Sequence, residues 1–205
     1  MLSLNEKLEF TSIIKSLLLK HSSLKYEIEA RIGKIYNKET ESRIKINSLT
    51  PVIFTKLPRN HLFMPGVDQW DFKTLKNNLN FKEHIEDLFQ YLKNGNRVRF
   101  VNNEYRFCEK KRKILVVDLY LPQYKYDIRI SIMTEEKQMQ RQTQSSVDFV
   151  RHRKRDTFTD KWFNYDFTVV RTNNEVTYEV EIEVDDMNYR VEDFIDTFFK
   201  INILK

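Results

Sequence analysis

The sequence predicts a mainly β domain with flanking helices (α+β), its strands closed into an antiparallel barrel around a charged lumen. Three observations carry that expectation. From Gly95 to about residue 184 the chain keeps a period of two, the repeat of extended strands. On at least five of these stretches one face carries ionisable groups of both signs at alternate positions. And two acidic strands of the same design lie near opposite ends of the chain, where a closed sheet can bring them side by side.

Those two strands are Tyr26-Glu27-Ile28-Glu29-Ala30-Arg31-Ile32-Gly33 and Tyr178-Glu179-Val180-Glu181-Ile182-Glu183-Val184. In each, the carboxylates share one face and the apolar residues the other. Carboxylates stacked at about 7 Å intervals repel one another unless cations sit among them. Standing alone, either strand reads as a solvated face. Together they read as oxygen ligands for a hard divalent cation, Mg²⁺ or Mn²⁺.

Before the first acidic strand, residues 3–20 predict an amphipathic helix with Phe10, Ile13, Ile14, Leu17 and Leu18 on one stripe and a Ser3/Glu6 capping box. The acidic strand spans 25–35, and residues 43–56 predict one or two further strands broken at Pro51. Over 57–80 the breakers Pro58 and Pro65 interrupt the pattern, with Trp70 and Phe72 as core candidates. Residues 81–93 predict a helix, striped by Ile85, Leu88, Phe89 and Leu92 and stopped by Gly95.

Strand signals follow. Arg97 and Arg99 alternate with Val98 and Phe100, and Tyr105 to Lys113 runs basic and extended into Leu115-Val116-Val117. Asp127, Arg129 and Ser131 alternate with isoleucines; Arg151, Arg153 and Arg155 alternate with His152 and Lys154. Asn164, Asp166 and Thr168 alternate with Tyr165, Phe167 and Val169. A C-terminal helix over 188–200, with Val191, Phe194, Ile195, Phe198 and Phe199, closes the chain. With the N-terminal helix (1–20) it would cover the outer wall of a single domain spanning 1–205.

At 205 residues one substantial core is expected. The three glycines, Gly33, Gly66 and Gly95, exclude a glycine-rich phosphate loop, so side chains must hold any phosphate. The single Cys108 excludes an intrachain disulfide and suits a reducing compartment; it reads as packing, since no Cys-x₅-Arg loop surrounds it. His21, His61, His84 and His152 lack ligand spacing and read as structural or exposed. No apolar run approaches the roughly 20 residues of a membrane span, and the N-terminus lacks a signal-peptide pattern. The net charge of +5 points weakly to an anionic partner.

A lumen with both acidic and basic strands needs a ligand that satisfies both. A metal–triphosphate complex does so: carboxylates hold the cation and arginine forks grip phosphate oxygens. Hydrolysis of the terminal phosphate then requires positioning, charge neutralisation and an oriented water.

The two acidic strands, with Asp127-Ile-Arg-Ile-Ser-Ile-Met-Thr-Glu135, Arg151-His-Arg-Lys-Arg155 and Asp166-Phe-Thr168 in order between them, resemble the triphosphate tunnel metalloenzymes. Among these the chain is most similar to the yeast-type, metal-dependent RNA 5′-triphosphatases of mRNA capping, found in fungi, protozoa and some viruses. The likeness runs from about residue 24 to 200. It implies an eight-stranded closed barrel and removal of the γ-phosphate of 5′-triphosphate RNA, leaving a diphosphate end.

The resemblance also implies roles. Glu27, Glu29 and Glu183 would bind the metal, Mg²⁺ or Mn²⁺, with Glu179 and Glu181 supporting through water or basic side chains. Glu135 falls where the family positions the attacking water. Arg153 and Arg155 match the strand that grips the γ-phosphate, and Arg151 begins the same face. Arg99 or Arg97, and Lys110 or Lys111, would add phosphate contacts. Arg129, Asp166 and Thr168 complete the substrate-binding set. One departure stands out: Asn164 replaces an arginine that usually precedes the Asp-x-Thr pair.

The partners implied are 5′-triphosphate RNA, then the mRNA guanylyltransferase and a second copy of the chain, with no membrane. The chain is short beside larger relatives, whose extra N-terminal region binds the guanylyltransferase. The location implied is the nucleus of a eukaryotic cell, or otherwise a cytoplasmic viral factory. Two alternatives differ in class. One is another tunnel enzyme acting on inorganic tripolyphosphate, nucleoside or thiamine triphosphate, though those usually begin with Glu-x-Glu-x-Lys where this chain has a preceding helix and Arg31. The other is a non-catalytic RNA-binding module, which the acidic strands would repel from RNA without a metal.

Overall fold

A computed structural model describes residues 11–17, 26–77, 79, 81–139, 145–173, 175–186 and 188–201. Its strands are β1 (Glu27–Asn37), β2 (Ser42–Arg43), β3 (Val52–Phe54), β4 (His61–Pro65), β5 (Glu83–Leu92) and β6 (Arg97–Val101), then β7 (Glu104–Tyr120), β8 (Asp127–Gln138), β9 (Val147–Asp160), β10 (Phe163–Thr172) and β11 (Glu175–Val184). Helix α1 covers residues 11–17, α2 Gln69–Lys76 and α3 Val191–Ile201.

Eight strands pair antiparallel in the order β11-β10-β9-β5-β6-β7-β8-β1, and β1 pairs again with β11 to close a barrel. The closing seam sets Glu29 opposite Glu183 and Arg31 opposite Glu181. Closure thus joins the two acidic strands. Strands β2 and β4 extend β1, and β3 pairs with β7.

Because charge fills the lumen, the apolar core lies outside the wall. Ile28, Ala30, Ile130, Ile132 and Ile182 point outward and are buried against Ile14 of α1 and against Phe194 and Ile195 of α3. Each such large side chain contributes about 1.5–3 kcal/mol on burial. A second cluster sets Phe72 of α2 against Ile32, Phe167 and Val180. Each strand therefore has a reason to face as it does: one row needs oil, the other needs counter-ions.

At Gly33, β1 leaves β11 and continues along β4. A Cβ here would sit 2.2 Å from the Met64 carbonyl oxygen and 2.9 Å from Pro65 Cα, so the crossing requires glycine. Gly33→Ala should cost about 1–3 kcal/mol through forced backbone shifts. Thermal melting checks this, and an unchanged Tm would show that the crossing is slack.

Several expectations are corrected. Residues 81–93 form no helix; they are β5, with its turn to β6 at Gly95, where φ is +83°. The apparent helical stripe splits between two strand faces, Ile85 and Phe89 to the lumen and Leu88 and Leu92 outward, where Leu92 packs on Val98 and Cys108. Trp70 is 71% exposed, because α2 buries Phe72 instead. Ile13 is also exposed, whereas Ile14 and Leu17 meet the core. The Ser3/Glu6 pair, Phe10, Leu18, His21 and the Phe198 side chain lie outside the described residues. Among the described residues, no helix is long and apolar enough to cross a membrane.

Candidate active site

Strand alternation aims Glu27, Glu29 and Arg31 of β1 into the barrel, because Ile28, Ala30 and Ile32 are taken by the outer core. The same rule delivers Glu179, Glu181 and Glu183 from β11, Arg151, Arg153 and Arg155 from β9, and Arg97 and Arg99 from β6. Strands β7 and β8 add Phe107, Glu109, Lys111, Glu135 and Lys137, and β5 adds Phe89. Together they enclose a cavity of about 190 Å³.

Inside it, opposite charges are paired closely. Lys111 Nζ lies 2.6 Å from both Glu27 oxygens and 2.5 Å from Glu135. Arg31 Nε stands 2.9 Å from Glu29 and from Glu181. Arg155 donates to Asp166 at 2.5 Å, Thr168 at 3.2 Å and Glu181 at 3.4 Å. Arg151 donates to Glu179 at 2.5 Å, and Arg97 to Glu109. Arg153 and Arg99 share Asp87, each bond 2.8 Å long.

Glu183 is different. Among the described residues it has neither a hydrogen bond nor an ion pair, and burial, with Asp166 nearby, pushes its carboxyl up to about 7. Burial likewise pushes Glu27 up to about 8 against the pull of Lys111, and a hydrogen bond that the protonated Glu27 carboxyl donates to Glu135 adds to the rise. Glu29 is raised by burial too. Glu181 goes the other way: Arg31 and Arg155 outweigh its burial and hold it at about 2. Lys111 and a hydrogen bond shared with Glu27 hold Glu135 at about 2 against burial.

Among the described residues the lumenal carboxylates are thus closely paired with cations except Glu183, which shares the seam with Glu27 and Glu29. Among the described residues no three His, Cys, Asp or Glu side chains already stand at ligand spacing. Glu27 and Glu29 instead turn to Lys111 and Arg31. A half-buried carboxylate with no close cation, directly opposite a second carboxylate, is nevertheless what an all-oxygen site for a hard cation provides. The donor set, carboxylate oxygens alone, fits a hard divalent cation.

The family model for the beta chain of the mRNA capping enzyme, an mRNA triphosphatase, matches residues 9–106 and 93–196. The chain belongs to that family. Comparison with curated protein sequences gives no match. Among solved structures it is similar to the Pct1 RNA triphosphatase of S. pombe, with a TM-score of 0.82 at 20% identity over 94% of this chain and 92% of that one. The same protein in complex with the Spt5 CTD matches with a TM-score of 0.82 at 19% identity, over 94% and 93%. The fold is the triphosphate tunnel, and the family's activity is RNA 5′-triphosphatase in mRNA capping, as the resemblance of the strands implied.

The capping-family barrel distributes the predicted site residues unevenly. Glu27, Glu29, Arg99, Lys111, Glu135, Arg151, Arg153, Arg155, Glu179, Glu181 and Glu183 all line the cavity. Of each open pair, Arg97 joins Arg99 inside, whereas Lys110 is exposed on the outer face while Lys111 points inward. Lys110 is thus corrected by the alternation of β7. Arg129 shares the inward face but not the cavity: Asp118 holds it at 2.7 and 3.0 Å, under the Phe63 ring. Asp166 and Thr168 stand behind Arg155 and orient it, and do not line the cavity. Asn164 bonds Thr159 and Asp185.

Asp87, Phe89, Phe107, Glu109 and Lys137 were not foreseen. The first two were hidden by the helical reading of 81–93. Their signal is the alternate row Ile85-Asp87-Phe89-Tyr91, which reads as a strand as soon as Asp87 is set opposite Arg153.

Proposed function

We propose that the lumen removes the γ-phosphate of 5′-triphosphate RNA with a divalent metal, Mg²⁺ or Mn²⁺, held by Glu27, Glu29 and Glu183. The observation that carries this is Glu183, a half-buried carboxylate with no hydrogen-bond or ion-pair partner among the described residues, facing Glu29 across the seam. The metal would supply charge neutralisation on the phosphates. Arg99, Arg153, Arg155 and Lys111 bind and orient the terminal phosphoryl group. Glu179 and Glu181 keep Arg151, Arg31 and Arg155 aimed across the lumen. Glu135, held ionised, accepts a hydrogen bond from the attacking water and orients it in line with the leaving diphosphate.

Phosphate release from 5′-triphosphate RNA, ATP and inorganic tripolyphosphate, each with Mg²⁺, Mn²⁺ or chelator, tests the reading. Activity should vanish in chelator and be highest on RNA. Full activity in chelator would refute the metal, and hydrolysis of tripolyphosphate alone would favour the other tunnel chemistry.

The diphosphate end produced is the acceptor that guanylyl transfer requires, which makes the mRNA guanylyltransferase a partner to test by co-purification. A homodimer can be tested by sedimentation. Work on new transcripts would place the protein in the nucleus, or in the cytoplasmic factory of a virus.

The grip on phosphate should depend on shape as well as charge. Arg155→Lys keeps the charge but loses the planar fork that reaches Asp166, Thr168 and Glu181 at once. Losing one charge-assisted bond costs about 1.5–3 kcal/mol, a drop of roughly tenfold or more in kcat/KM. Lys154 points outward to Glu86, and Lys154→Gln should change little. Equal sensitivity at the two positions would contradict the inward and outward assignment of β9.

A further inference from the structure

The lumen-facing row of β9 does not end with its arginines. Beyond Arg151 the same row continues to Phe149, which is 41% exposed where the strand leaves the barrel. Its ring stacks on Tyr91 of β5, with centroids 4.4 Å apart and planes 9° from parallel. Tyr91 in turn leans on Phe89, centroid to centroid 6.4 Å, and Phe89 is buried beneath Arg153 and Arg97 at 4.2 and 4.8 Å. The result is a stair of three rings, climbing from the arginine-coated floor to an open face.

Core packing does not explain this stair. A core pair is closed on both sides, whereas Phe149 stacks on Tyr91 and remains open to solvent. Arg151 Nη1 reaches the Tyr91 hydroxyl at 3.5 Å, fixing that ring beside a cation that also lines the cavity. Aromatic faces beside arginines are how proteins hold single-stranded nucleic acid, because every base offers a π-face whatever its identity. The β-strand spacing puts Phe149 about 7 Å beyond Arg151, a suitable step from a phosphate to its nucleoside.

We propose that Phe149 and Tyr91 form a stacking platform for the first nucleobase of the RNA, outside the lumen that takes its triphosphate. This rests on the triphosphatase reading and deepens it: the platform accounts for recognising a nucleoside behind the phosphates. It favours no particular base.

The test compares wild type, Phe149→Ala, Phe149→Leu and Phe149→Trp on triphosphate RNA, on the same RNA with an abasic first nucleotide, and on inorganic tripolyphosphate. In the Ala and Leu variants the ratio of kcat/KM on RNA to that on tripolyphosphate should fall about tenfold or more, through KM. Phe149→Trp should restore it, and the abasic RNA should be indifferent to all three changes. A constant ratio, whether the rates hold or fall together, would overturn the platform. So would a Leu variant as good as Phe, since bulk would then suffice. Equilibrium binding of the same ligands scores the platform separately: a wild type that hydrolyses none of them refutes the triphosphatase reading, while the binding ratio still decides the stacking.

Discussion

Glu183→Ala should lower turnover by on the order of a hundredfold or more while leaving the melting temperature in chelator unchanged or higher. The two halves have one cause. Glu183 is partly buried beside Asp166 and Glu29, with only the more distant attraction of Lys111 and Arg155 against that burial, so removing it relieves a cost in the metal-free fold. With metal present the same deletion takes away a ligand. Glu27→Ala and Glu29→Ala should lose turnover to the same degree, and their metal-free stability should change little. Lys111 keeps Glu135 when Glu27 goes, and Arg31 keeps Glu181 when Glu29 goes. The rescue is specific: wild type should gain stability from Mn²⁺ and Glu183→Ala should gain less. A wild-type rate in any of the three variants would show that the seam is not the metal site.

The seam was legible because it is written twice, at Glu27-Ile28-Glu29 and at Glu181-Ile182-Glu183, in a period that only a strand supports. Arg153 and Arg155 were legible for the same reason. The inward row is fixed by its apolar complement, and barrel closure then needs no further information. Lys110 and Lys111 show the limit. Adjacent residues in a basic run carry no mark of which one faces inward, and the neighbour that decides it, Glu135 across β8, is distant in sequence.

Residues 81–93 failed differently. Ile85, Leu88, Phe89 and Leu92 sit at helical spacing because both faces of β5 are covered, the inner one by arginines over Phe89 and the outer one by Val98 and Cys108. A strand with two buried faces loses the alternation that identifies it. Asp87 went unnoticed with it, since a single acid on a supposed helix looks solvated. Trp70 misled by size: α2 has only one buried face, and Phe72 occupies it.

Asp87 is where that omission matters most. Its carboxylate accepts three bonds of 2.8 Å, two from Arg153 and one from Arg99, and is almost wholly buried. Burial alone would raise its pKa, but Arg153, Arg99 and Arg155 outweigh it and hold the group below the usual carboxylate range. Removing one partner of such a cluster leaves buried cations uncompensated, at a cost of about 3–5 kcal/mol. For a chain of this length that is on the order of 10 °C in Tm. Asp87→Ala should therefore melt far below wild type and, with Arg153 and Arg99 no longer oriented, lose at least about tenfold in kcat/KM. A pH series separates this from simple loss of packing. A carboxyl whose folded pKa is depressed contributes stability that is fully present above its unfolded pKa, about 3.9, and is lost as pH falls through the folded value. The Tm gap between wild type and Asp87→Asn should accordingly be widest near neutrality and close as the medium is acidified through and below pH of about 4. A gap that stays constant across that window would mean that Asp87 holds its arginines by shape alone, and an Asp87→Ala protein that melts with wild type would mean that it does not hold them at all.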